Sequence, residues 1–84
     1  MSIRKVFKKV LEVEAVQFTG TPENIELLKE WSNGQVWPEG DILKVKCLEA
    51  LAETPKGSYV VKGIKGEVWP VREDIFNETY EILE

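Results

Sequence analysis

The chain has 84 residues, of which 43% are hydrophobic and 31% charged, and a net charge of −4. That length fits one domain with a small core, in the composition range of globular chains. Histidine is absent, cysteine occurs once (Cys47) and the charge is negative, which speaks against histidine-based acid–base catalysis, an internal disulfide, a cysteine-based zinc site and general nucleic-acid binding.

Residues 1–9, Met-Ser-Ile-Arg-Lys-Val-Phe-Lys-Lys, form a basic segment with Arg4, Lys5, Lys8 and Lys9 and no acid. The segment lacks the apolar core of a signal peptide, and no apolar run in the chain is long enough to span a bilayer, so a cytoplasmic protein is expected. Residues 73–84 carry Glu73, Asp74, Glu78, Glu81 and Glu84 and no base. Two readings stand: both ends are solvated, or the basic end meets the acidic end within the fold or in a neighbouring subunit.

Over residues 10–18 apolar and acidic residues alternate, with Leu11, Val13 and Ala15 on one face and Glu12 and Glu14 on the other. This predicts a strand. Val16 and Phe18 add apolar groups to the second face, so the strand is expected to be central at its end. Glu12 and Glu14 have the spacing to flank a ligand, but a solvated face is the simpler reading. Thr21-Pro22-Glu23 then predicts a helix start, with Thr21 as N-cap and Pro22 at the first helical position. Ile25, Leu27, Leu28 and Trp31 make one apolar stripe, and Asn33-Gly34 ends the helix, giving bounds of 22–32.

Gln35-Val36-Trp37 reads as a short extended piece and Pro38-Glu39-Gly40-Asp41 as a turn. Residues 42–49 predict a strand with Leu43, Val45 and Cys47 inward and Lys44 and Lys46 outward. There Cys47 reads as a small core residue rather than a reactive thiol. Residues 50–57 read as a loop. Residues 58–64 and 67–72 predict a β-hairpin, with Lys65-Gly66 as the turn and Pro70 marking an edge or a bulge. Gly63 suggests a bulge or the close approach of another backbone or a ligand. Asp74 reads as the N-cap of a short helical turn, and the alternation of Thr79-Tyr80-Glu81-Ile82-Leu83 predicts a last strand. The fold class is α+β: residues 1–84 form a single domain, a small, mainly antiparallel β-sheet with one amphipathic helix packed on one face.

No phosphate loop, dinucleotide fingerprint or metal-ligand spacing occurs in the sequence. No catalytic set, cofactor or metal is expected. The aromatic residues are more informative. Trp37 and Trp69 each precede a proline, which holds them extended. Such an indole can close a core edge or act as a platform on which a base stacks. Tyr59, Trp69 and Trp37, with the cations Lys62, Lys65 and Arg72, are the candidate ligand-binding residues for an aromatic, phosphate-bearing small molecule.

Val13-Glu14-Ala15-Val16-Gln17-Phe18-Thr19-Gly20, Gly57-Ser58-Tyr59-Val60-Val61-Lys62-Gly63-Ile64-Lys65-Gly66-Glu67, Pro70, Asp74-Ile75-Phe76 and Thr79-Tyr80-Glu81 together resemble a widespread family of small uncharacterised phage and prophage proteins. Pro55-Lys56-Gly57-Ser58 departs from the family's usual Pro-Gly-Asp entry, and Val71 stands where cysteine is frequent. The resemblance implies a viral protein acting in the bacterial cytoplasm. Two functions follow as expectations. The first is a non-enzymatic, homo-oligomeric anti-defence sponge that sequesters a nucleotide immune signal, of the cyclic ADP-ribose or cyclic oligonucleotide type. The alternative is a protein–protein module that blocks a host protein or serves as an accessory or structural component of the phage. A carboxylate- and metal-based nuclease or phosphodiesterase is the least favoured reading, because the acids are dispersed.

Overall fold

The computed structural model describes Ile3, Arg4 and residues 12–82. Six strands and two helices follow one another: β1 (Glu14–Gln17), α1 (Pro22–Trp31), β2 (Val36–Glu39), β3 (Ile42–Lys46), β4 (Leu51–Thr54), β5 (Tyr59–Lys62), β6 (Val68–Val71) and α2 (Glu73–Thr79). The strands form two antiparallel three-stranded sheets, β1-β5-β6 and β2-β3-β4. The α+β class therefore holds, with two small sheets in place of one.

Local chemistry fixes α1. The Thr21 hydroxyl accepts a hydrogen bond from the Asn24 amide at 3.1 Å, satisfying one of the free N–H groups of the first turn, and Pro22 occupies a position that needs no donor. The Asn24 side chain ties the helix to β1: it accepts from the Thr19 amide at 2.8 Å and donates to the Gln17 carbonyl at 2.7 Å. At the other end Asn33 and Gly34 both take positive φ, 57° and 81°, and their amides cap the Glu30 and Lys29 carbonyls, the left-handed exit expected of an Asn-Gly pair. Leu28 of the predicted stripe is fully buried, Ile25 and Trp31 are half-buried, and Leu27 is 52% exposed.

One core joins the two sheets and α1. Val60 and Val68 come from the first sheet, Val36, Leu43 and Val45 from the second, and Leu28 from the helix, with Phe18 between them. Full burial of each such side chain contributes on the order of 1.5–3 kcal/mol. Leu43 and Val45 are buried as expected, and Cys47 packs half-buried beside them.

Six expectations need correction. Asp74 is not the N-cap of α2: the helix begins at Glu73 with Arg72 at the cap, and Asp74 lies in its first turn. The alternation over β1 is present, but Val16 and Phe18 pack toward the core, while Ala15 is exposed. Glu14, two residues before Val16, stays exposed, and its carboxylate accepts from the Trp31 indole N–H at 2.9 Å and pairs with the Lys62 ammonium at 3.4 Å. β1 is an edge strand, not a central one, because it pairs with β5 alone. Pro38 and Glu39 belong to β2, so the turn into β3 shortens to Gly40-Asp41. The segment read as a loop at 50–57 contains β4, which pairs with β3 through Leu43 opposite Thr54 and Lys46 opposite Leu51. The predicted last strand is absent among the described residues: α2 runs through Thr79, and Tyr80 stacks on Phe76 with ring centroids 4.9 Å apart. The basic segment is described only at Ile3 and Arg4, both exposed, so its expected meeting with the acidic end lies outside the described residues.

The β5–β6 hairpin forms as predicted but with shorter strands: Gly63 and Ile64 belong to the turn, which the Gly66 amide closes on the Gly63 carbonyl at 3.0 Å. Its strands lie in register from Tyr59 opposite Val71 to Lys62 opposite Val68, and β6, with Pro70, is an edge. Gly66 takes φ 85° in the turn, a conformation that glycine adopts without a Cβ penalty.

Candidate site at the hairpin tips

Two turns meet where the sheets approach each other. In the β3–β4 hairpin, residues 47–50 form the turn, closed by the Cys47 amide on the Ala50 carbonyl at 2.9 Å. In the β5–β6 hairpin the Gly63 amide donates to the Glu67 carbonyl at 2.8 Å. Between them lies a cleft of about 230 Å³ lined by Cys47, Leu48, Glu49, Glu67, Val68 and Trp69. Leu48 is 85% exposed and Ile64, in the facing turn, 71%.

Gly63 keeps the Trp69 side of this cleft close. A Cβ there would collide with the Glu67 carboxylate and come within 3.2 Å of the Trp69 ring. The close approach expected at Gly63 is therefore made by this chain's own side chains. Burial pushes the Cys47 thiol up from its ordinary value, so at neutral pH it is an apolar wall rather than a nucleophile. The cleft is thus apolar, with one indole and with carboxylates from both turns.

The six residues expected to bind a ligand do not converge. Trp69 lines the cleft, and Lys65 lies exposed in the adjoining turn. Tyr59 is on β5, and its ring face is taken by Phe76 at a centroid distance of 3.8 Å and an interplanar angle of 6°. Lys62 points to the opposite, core-facing side of its sheet. Its ammonium donates to the Trp31 carbonyl at 3.0 Å, pairs with Glu14 and sits 5.0 Å from the Trp31 ring centroid. Arg72 is paired with Asp74 at 2.6 Å; that bond raises the Arg72 pKa and holds the Asp74 carboxyl below its usual range. Trp37 lies on the other sheet, in one row with Lys44 and Glu53, whose side chains are 3.6 Å apart.

Leu48, Glu49 and Glu67 were not singled out from the sequence. Their one visible signal is an exposed leucine beside an acid between two strand-forming runs, which gains meaning only once Leu51–Thr54 is seen to be a strand. Among the described residues no three His, Cys, Asp or Glu side chains are grouped to hold a metal ion, and no helix is long and apolar enough to cross a membrane.

Fold and site define a small α+β protein of two antiparallel sheets with an apolar, acid-flanked cleft between two hairpin tips. Compared with known proteins, the chain matches no family model, no curated protein and no solved structure.

Proposed function

We propose that this chain is a non-enzymatic binding module, phage-encoded and acting in the bacterial cytoplasm, that holds a host or virion protein through its two hairpin tips. The observation that carries the reading is the cleft itself. Its roughly 230 Å³ lies below the ~300–1,000 Å³ of ordinary small-molecule sites but suits one inserted side chain. Leu48, 85% exposed, lines it, and Ile64, 71% exposed, lies in the turn of the other hairpin, as a contact surface would have them. The test is affinity capture from infected cells with the wild type and Leu48→Asp. A partner enriched by the wild type and lost from the variant supports the reading; a partner retained equally by both contradicts it.

A second reading keeps the small ligand. Trp69 is a half-buried indole at the cleft and Lys65 an exposed cation in the turn of the same hairpin, the residue types for stacking a base and meeting a phosphate. On this reading the protein is an anti-defence sponge for a cyclic ADP-ribose-type or cyclic oligonucleotide signal, with an oligomer supplying further cations. Native mass spectrometry with a panel of those nucleotides separates the two. An oligomer that retains an intact nucleotide favours the sponge, and a ligand-free species across the panel favours the protein partner.

A further inference from the structure

We infer that the cleft recognises an apolar side chain flanked by lysine or arginine, so that the partner presents a basic segment with one apolar anchor. This rests on the protein-binding reading and specifies its partner. The wall of Trp69, Val68 and Cys47 is apolar, and the cleft, about 230 Å³, has room for one apolar side chain.

Charge decides what may accompany that side chain. Glu49 stands on one turn and Glu67 on the other, so an acidic residue from each turn lines the cleft. The Glu67 carboxylate has one backbone donor, the Lys65 amide at 3.4 Å, a long contact that leaves acceptor capacity free. Two exposed cations stand near the cleft without lining it: Lys65, within the β5–β6 turn, and Lys46, directly before Cys47. The residues that line the cleft itself include two acids and no base. A flanking lysine or arginine therefore gains charge-assisted hydrogen bonds at the rim, while a flanking acid meets like charge in a partly desolvated place. The same arrangement disfavours phosphate in the cleft. The indole adds a face against which the stem or head of a cation packs.

The test is an NMR titration of the ¹⁵N-labelled protein with three capped peptides: Gly-Lys-Leu-Lys-Lys-Gly, Gly-Lys-Ala-Lys-Lys-Gly and Gly-Glu-Leu-Glu-Glu-Gly. The readout is the Trp69 indole signal, assigned by its loss in Trp69→Phe, together with the Leu48 and Glu67 amides. The expected result is a saturable shift with the leucine–lysine peptide, at least tenfold weaker with either control and abolished in the Glu49→Lys/Glu67→Lys variant, whose dispersed spectrum reports that it remains folded. Absence of any shift by about 1 mM peptide, or equal binding of the acidic peptide, overturns the inference. So does concentration-dependent self-association that the same double variant removes, which assigns the cleft to a second copy of this chain. If these arms fail while Leu48→Asp still abolishes capture of a protein partner, the charge preference is wrong and the protein-binding reading survives.

Discussion

Glu14 sits at the seam between β1 and α1, where its carboxylate accepts from the Trp31 indole and pairs with the Lys62 ammonium. The Trp31 N–H first, and then Lys62, hold its pKa below the ordinary carboxylate value of 4.5. A carboxylate with a lowered folded pKa adds stability that is fully present above its unfolded pKa and is lost as pH falls through the folded one. The stability difference between the wild type and Glu14→Gln is therefore expected to be constant above about pH 5.5 and to shrink as the pH drops below about 4.5, measured by urea denaturation at each pH. Thr54 raises the opposite problem. It is fully buried on β4, and its hydroxyl has no hydrogen-bond partner among the described residues. An unpaired buried hydroxyl costs on the order of 1–3 kcal/mol. Thr54→Val keeps the shape and removes that cost, so its melting temperature is expected to rise by roughly 4–8 °C, corresponding to about 1 kcal/mol in a domain of this size.

At the scale of elements, α2 is held by aromatic stacking. Phe76 is 4% exposed and lies between Tyr59 and Tyr80. Phe76→Ala removes the middle ring and leaves a cavity, with an expected cost of about 3–5 kcal/mol, a large share of the ~5–15 kcal/mol available to a small domain. Thermal unfolding of that variant reads the loss directly. Loss of the Thr21 cap is expected to be milder: Thr21→Ala should cost about 1 kcal/mol by the same measurement. These elements also show where the sequence was informative. The start and end of α1 were legible because caps are local chemistry carried by Thr21, Pro22, Asn33 and Gly34. The β5–β6 hairpin was legible because Tyr-Val-Val and Gly66 state strand and turn in adjacent residues. Strand β4 was not, because Leu-Ala-Glu-Thr has little strand propensity of its own and is held extended by pairing with β3. The chain after Phe76 was misread because Phe76 and Tyr80 share a helical face at a spacing of four, while Tyr80 and Ile82 also fit an alternating strand. The stack on Tyr59, a tertiary contact, decides between them.

For the molecule as a whole, the cleft is the least legible feature and the most consequential. It is assembled from residues 47–49 and 67–69, which meet only because both hairpins deliver their tips to one place. Sequence reading found Trp69 but grouped it with Tyr59, Lys62 and Arg72, which the fold sends to an aromatic stack, the core-facing side of the sheet and a surface ion pair. Residue type alone does not carry that information; strand parity and pairing do. The central claim is that a partner protein contacts the hairpin tips. The most direct test is photo-crosslinking in infected cells from a photoreactive residue placed at position 48, with position 27 on α1 as the control; Leu48 and Leu27 are both exposed, at 85% and 52%. The expected result is a discrete adduct with a host or virion protein from position 48 and none from position 27. Adducts from position 27 alone, or from neither position, would contradict the account.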